Sequence, residues 1–177
     1  MYTIRCTQRL LKRLGTTRGV PTVPSTTLGD WHANLLRFGS TQMVLCTSER
    51  SLLPVVLPAR GLKTALPNSL SDGVAAVLAG IGVPRAYIDR ELRHMQEHAV
   101  GRTESRVVLG SMNDFAVAIE HSLRSGPRVP SLPELSIWLA GILCGPLEYD
   151  RPGDVARRLL ELEREQSNNE MQWTRPG

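Results

Sequence analysis

Aromatic residues are scarce in this chain: two Phe, three Trp and three Tyr among 177 residues. Surfaces that stack nucleic-acid bases depend on such rings, and none of the strong nucleic-acid motifs is present. No run approaches the roughly 20 apolar residues of a membrane helix. The first stretch, MYTIRCTQRLLKRLG, lacks an apolar core followed by a small-residue cleavage site, so no secretory signal is expected and the expected compartment is the cytoplasm. No C-x-x-C pair occurs, which excludes zinc ribbons and dithiol redox motifs. Cys6, Cys46 and Cys144 are far apart, each among apolar neighbours, and read as reduced core residues. Glycine spacing and lysine placement also exclude a P-loop. No cofactor is expected.

The chain does have enough apolar residues for a core of its own. Hydrophobic residues make up 41% and charged residues 21%, within the range of an ordinary globular protein. A chain of this length buries most of its apolar surface without disulfides or structural metals. One domain is expected over residues 1–166, with a polar, unpatterned and disordered tail at 167–177. The formal net charge is +4, a mild excess that favours polyanions. The arginines are scattered along the sequence, however, so nucleic acid is a disfavoured partner and solvated surface charge the preferred reading.

Alternation of Tyr2, Ile4 and Cys6 with Thr3 and Arg5 predicts a strand over 2–6. A short helix over 8–14 follows, with Gly15 placed to end it. Residues 16–30 read as a loop. Residues 31–38 and 42–47 read as strands joined through Gly39-Ser40. A third strand is expected over 52–57, at a sheet edge because Pro54 cannot donate to a ladder. Beyond residue 60 the period becomes helical. Ser69 with Asp72 suggests a capping box before the stripe Leu70, Val74, Val77, Leu78 and Ile81. Pro84 opens a helix whose stripe is Ile88, Leu92, Met95 and Ala99. Further helices are expected from 112 to 125 with Gly126 after it, from the Ser131/Glu134 capping box to Gly145-Pro146 with Leu135, Trp138, Leu139 and Ile142 inward, and from 152 to 166. Strands early and helices late give an α+β class: a small, mainly antiparallel sheet with about five helices packed on one face.

The stretch Val107–Phe115, VVLGSMNDF, reads as a strand, a turn at Gly110 and a polar helix start. That geometry leaves backbone N–H groups unpaired and pointing outward. Arg106, Gly110, Ser111, Asn113 and Asp114 are the expected ligand-binding residues. The competing reading of the same residues is a plain capped helix. Asp30 and His32 share a strand face while Trp31 points to the core. A His–Asp pair there is a candidate base, with Asp114 a further catalytic candidate and Cys46 or Ser111 the candidate nucleophile. Glu91, His94 and His98 fall on one helical arc with spacing that suits a divalent metal, although a solvated face is the preferred reading. Arg60 and Lys63 flank Gly61 after the third strand, as a phosphate-binding loop or as solvated charge. Cys144 precedes Gly145-Pro146 at a helix end, a location that raises a thiol pKa and disfavours nucleophilic use.

The blocks RCTQRLLKRL (5–14), LGDWHANLLRFG (28–39), ERSLLPVVLPARGLKTALP (49–67), VLGSMNDFA (108–116) and CGPLEYDRP (144–152) occur here in order. Together they resemble an uncharacterised bacterial family, a domain of unknown function, over residues 1 to about 162. The resemblance implies membership and no activity. The end NNEMQWTRPG is similar to the read-through ends of proteins from mobile gene cassettes. The function expected on these grounds is a binding or regulatory module that recognises a protein, a small ligand or a second copy of itself. The alternatives are a hydrolase or transferase acting on an anionic substrate at Gly110–Asp114, and nucleic-acid binding. The enzyme reading requires Asp30 or His32 within hydrogen-bond reach of the Ser111–Asp114 turn. The module reading expects an exposed apolar patch or an open sheet edge along Leu52 to Leu57.

Overall fold

The computed structural model describes residues 1–15, 23–125 and 129–173, with side chains to Glu163. Residues 16–22 of the expected loop, Gly126 and residues 174–177 of the expected tail lie outside the described residues. The chain forms β1 (Tyr2–Cys6), α1 (Gln8–Leu14), β2 (Trp31–Phe38), β3 (Thr41–Ser48), β4 (Pro54–Pro58), α2 (Leu62–Gly80), α3 (Arg85–His94), β5 (His98–Arg102), α4 (Arg106–Ser125), α5 (Leu132–Ala140) and α6 (Pro152–Trp173). A single 3-10 turn, Gly145–Leu147, lies between α5 and α6. No described helix is long and apolar enough to cross a membrane.

The α+β class stands. The sheet has five strands in the order β4-β3-β2-β1-β5. β2, β3 and β4 form the expected antiparallel meander. β1 runs parallel to β2 and β5, with Ile4 opposite Trp31 and Val100. A crossover through α1 makes the parallel β1–β2 pairing possible. Gly15 ends α1 in the left-handed region at φ 65°, as its position after the last apolar residue requires.

One feature of the expected architecture is corrected. Helices cover both faces of the sheet, not one. On the first face Ile4, Trp31, Leu35, Val44 and Val55 pack with residues of α1, α2, α3 and α6. On the second, Leu36, Met43, Leu45 and Val56 pack with Val108, Met112, Phe115 and Ile119 of α4 and Leu135 and Leu139 of α5. The sign of this is β3, buried continuously from Met43 to Ser48. A strand covered on both faces loses the alternation that marks a half-exposed one.

Four elements begin or end elsewhere than their local signals suggested. α2 starts at Leu62 and carries Pro67 inside it. Pro67 removes one helical hydrogen bond; burial of Leu62 and Leu66 on the same stripe as Leu70 offsets that loss. α3 stops at His94, and Ala99, expected in its stripe, belongs to β5. α6 runs on to Trp173, past the boundary at 166 and through part of the expected disordered tail. The Ser131/Glu134 capping box is formed, but α5 closes at Gly141 and Trp138 is half-exposed instead of inward.

β4 is the edge strand that Pro54 predicted. It is not an open edge. Val56 N–H points outward and donates to Ser136 Oγ of α5 at 2.8 Å. Alternate residues of an edge strand share one direction, so the other outward positions are 54 and 58, both proline and both without a donor. The expected exposed edge along Leu52 to Leu57 is therefore corrected: all six residues are buried.

Candidate functional site

α4 decides the fate of the site expected at Gly110. It is one continuous helix from Arg106 to Ser125, so the strand and the turn do not exist. Val108, Met112, Phe115 and Ile119 recur every three or four residues and are buried on the sheet. This period runs straight through Gly110, which is exposed and has nothing within 4 Å of where a Cβ would stand. A solvent-facing glycine removes no packing contact, so burial of the stripe overrides its low helix propensity. Arg106 and Asn113 are exposed. Ser111 Oγ donates to Val107 O at 3.2 Å, within the helix. The unpaired N–H groups that made this stretch attractive are absent. The cap is Ser105, whose Oγ accepts from Val108 N at 3.3 Å.

Ser111 and Asp114 instead line a crevice of about 60 Å³ against Ile142, Cys144 and Pro146. That volume accommodates a water or two, not a substrate. Burial, and secondarily the charge of Asp114, pushes the Cys144 thiol pKa up, so it is a poor nucleophile. Cys6 and Cys46 lie in the first core, where burial raises both thiols.

Asp30 and His32 share the second face, as their spacing predicts, while Trp31 is fully buried in the first core. They do not form the expected pair. Asp30 accepts from Thr3 N at 2.8 Å and from Arg5 Nε at 2.8 Å, and Arg5 Nη2 lies 2.7 Å from the same carboxylate. The carboxylate thus stands in for a backbone acceptor just before β2 begins, and its charge is paired with that of Arg5. His32 Nδ1 is 2.6 Å from Thr103 Oγ1, in the segment between β5 and α4. Register places Gly101, Arg5, His32 and Thr47 in one row across four strands. Burial, with Arg5 as the lesser cause and Asp30 opposing, lowers the His32 pKa to about 4. The imidazole is neutral near pH 7. Its buried Nε2, together with Thr3 Oγ1 and Thr47 Oγ1, has no hydrogen-bond partner among the described residues. Neither Asp30 nor His32 is bonded to Ser111 or Asp114, so the geometry required for the enzyme reading is not met.

Glu91, His94 and His98 separate in the same way. Glu91 is fully buried and accepts from Thr27 N at 2.8 Å and Leu28 N at 3.1 Å, pinning the turn that leads into β2. Burial outweighs these bonds and raises its pKa. His94 ends α3 and His98 is exposed on β5. Among the described residues no group of His, Cys, Asp and Glu is arranged to hold a metal.

One concavity among the described residues is missed by sequence reading. A groove of about 460 Å³ opens on the second face, between the tip of the β2–β3 hairpin and the facing ends of α4 and α5. Phe38, Met43, Leu123, Val129, Leu132 and Leu135 make its wall, and Glu120 and Arg124 stand at its rim 3.3 Å apart. Its residues come from three separate stretches, 38–43, 120–124 and 129–135, and no lining residue belongs to a polar motif that would flag it. The one available signal was Leu123, last of the α4 stripe.

Comparison with known proteins gives a family and nothing closer. No curated protein matches this chain, and no solved structure does. A family model described as a domain of unknown function, DUF6933, matches residues 3–155 and so spans most of the described chain, including every candidate site residue. The chain belongs to the DUF6933 family.

Proposed function

We propose that this protein is a binding module whose ligand is a small molecule with an apolar body, held in the groove between the β2–β3 hairpin and α4–α5. The observation that carries this reading is the groove itself. Its 460 Å³ falls in the size range of small-ligand sites. Its wall is apolar, and the Glu120–Arg124 pair at the rim offers both an acceptor and donors to a polar end of the ligand. The hydrolase reading has no comparable support, because Asp30 and His32 are each bonded away from Ser111 and Asp114.

Anilinonaphthalene sulfonate, an apolar ring system with one anionic group, is a direct probe. Saturable fluorescence enhancement at one site is expected with the native protein. Leu123→Glu places a charge on the groove wall at a half-buried position, and weakens the probe at least fivefold while the circular dichroism spectrum stays native. No enhancement, or equal affinity in the variant, removes the groove as the site.

A further inference from the structure

We infer that the end of the molecule carrying α1 and the β4–α2 loop is a docking surface for duplex nucleic acid, contacted through its phosphodiester backbone. The charge of this chain is not evenly distributed. Residues 1–64 hold nine Lys and Arg against two Asp and Glu, and residues 65–177 hold twelve against fifteen. The fold concentrates the first set further. Arg9, Lys12 and Arg13 share one face of α1 and are exposed. Arg13 Nη1 donates to Gln42 Oε1 at 2.9 Å, and its Nη2 to Ala59 O at 3.4 Å. Gln42 is the β3 partner of Arg37, and Ala59 precedes Arg60. Arg13 and Lys63 line the same concavity of about 310 Å³ at the start of α2.

Six exposed cations are thereby gathered: Arg9, Lys12, Arg13, Arg37, Arg60 and Lys63. Among the described residues none of them has an ion-pair partner. The two acids of this part of the chain, Asp30 and Glu49, flank the start of β2 and the end of β3, at the other end of the sheet from the hairpin tip. The start of α2 adds to the field: Gly61 is its N-cap, no side chain caps it, and its first turn contains no acid.

The make-up of this surface selects among polyanions. Among the described residues, none of the exposed large hydrophobics belongs to α1, the β2–β3 hairpin or the β4–α2 loop, so these elements present nothing to insert into a bilayer. Among the described residues the exposed aromatic side chains, Trp138 and Tyr149, are also elsewhere, so this surface presents no described ring on which unstacked bases of a single strand could stack. A regular array of phosphates meets both conditions. Its binding is sequence-independent and driven by counterion release.

The test is fluorescence anisotropy of the full chain with a labelled mixed-sequence 20-base-pair duplex, from 50 to 200 mM KCl. Binding is expected at 50 mM, weakening at least about tenfold by 200 mM. The triple reversal Lys12→Glu, Arg60→Glu, Lys63→Glu is expected to weaken binding more than tenfold. Its charge-matched control, Arg85→Glu, Arg93→Glu, Arg151→Glu, changes the net charge equally on other surfaces and is expected to weaken it less than threefold. If the triple reversal does not fold, Gln replacements at the same three positions, set against Gln replacements at the three control positions, give the same comparison. Equal losses in the two triples, or no binding at 50 mM, overturn the inference. Stronger binding to the single-stranded 20-mer, or binding only to vesicles containing 30 mol% phosphatidylserine, overturns it as well. Leu123→Glu retains duplex binding, so failure of the groove and failure of this surface are read separately.

Discussion

The two faces of the sheet are built differently. The face against α1, α2, α3 and α6 draws apolar core residues from all five strands, and its buried polar side-chain atoms include the Tyr2 hydroxyl and the Trp31 indole N–H. The face against α4 and α5 is apolar only over part of β2–β4 and becomes polar at Thr3, Arg5, His32 and Thr47. On the first face stability depends on close approach. At Gly73 of α2 a Cβ would stand 2.6 Å from Val55 Cγ1 and 2.9 Å from Leu57 Cδ2 of β4. On the second face it depends on whether each buried polar group has its partner. Asp30 has three donors, whereas His32 has one contact and a bare second nitrogen.

The sharpest way to break this contrast is Asp30→Ala. It strands the partly buried Arg5 guanidinium and the Thr3 N–H, and the expected cost is about 3–5 kcal/mol in urea denaturation. A loss below about 1 kcal/mol would mean that the polar face does not rely on its bonding. Gly73→Ala probes the apolar face by overpacking, with an expected loss of about 1–3 kcal/mol. Neutral behaviour there would show that α2 shifts freely off β4.

His32→Gln sharpens the polar side through pH. The native His32 pKa is lowered to about 4 against an unfolded value near 6.5. The unfolded state therefore binds the extra proton first, and this histidine costs stability progressively as pH falls from about 6.5 to about 4. Glu91, with its raised pKa, works in the opposite direction over part of that window, so the informative quantity is the difference between native protein and variant. Relative to His32→Gln, the native protein loses up to about 3 kcal/mol between pH 7 and pH 4. Parallel pH profiles would show that His32 is not held neutral by burial.

Gly110→Ala is the smallest effect and has the opposite sign. At an exposed interior position of α4 with open space around it, alanine is expected to stabilise by about 0.5–1 kcal/mol. Destabilisation would restore the turn that the local sequence suggested.

The comparison also shows where sequence reading succeeds. β1, α1, the β2–β3 hairpin and the Ser131/Glu134 capping box were legible because each is set by neighbours within a few residues: alternation, a glycine after the last apolar position, a Ser with Glu three residues on. The segment around Gly110 was misread because VVL followed by glycine satisfies a strand signal over four residues, while the helical stripe extends from Val108 to Ile119. β5 was missed because HAVGR carries no alternation of its own. It is a strand only because β1 stands beside it, with Thr3 Cγ2 3.1 Å from where a Cβ on Gly101 would be.

What the sequence determined by itself was local: a meander with a proline-blunted edge, a helical second half, three cysteines without a motif, and Asp30 and His32 on one strand face. Periodicity and capping depend on residues close in the chain, and these need no knowledge of the rest. Tertiary structure alone decided that both sheet faces are covered, that Asp30 pairs with Arg5 and His32 with Thr103, and that cations dispersed from Arg9 to Lys63 meet at one end. The physical reason is common to all three. Burial, desolvation and electrostatic field depend on which segments become neighbours in space, and that distance is not encoded in any one of them.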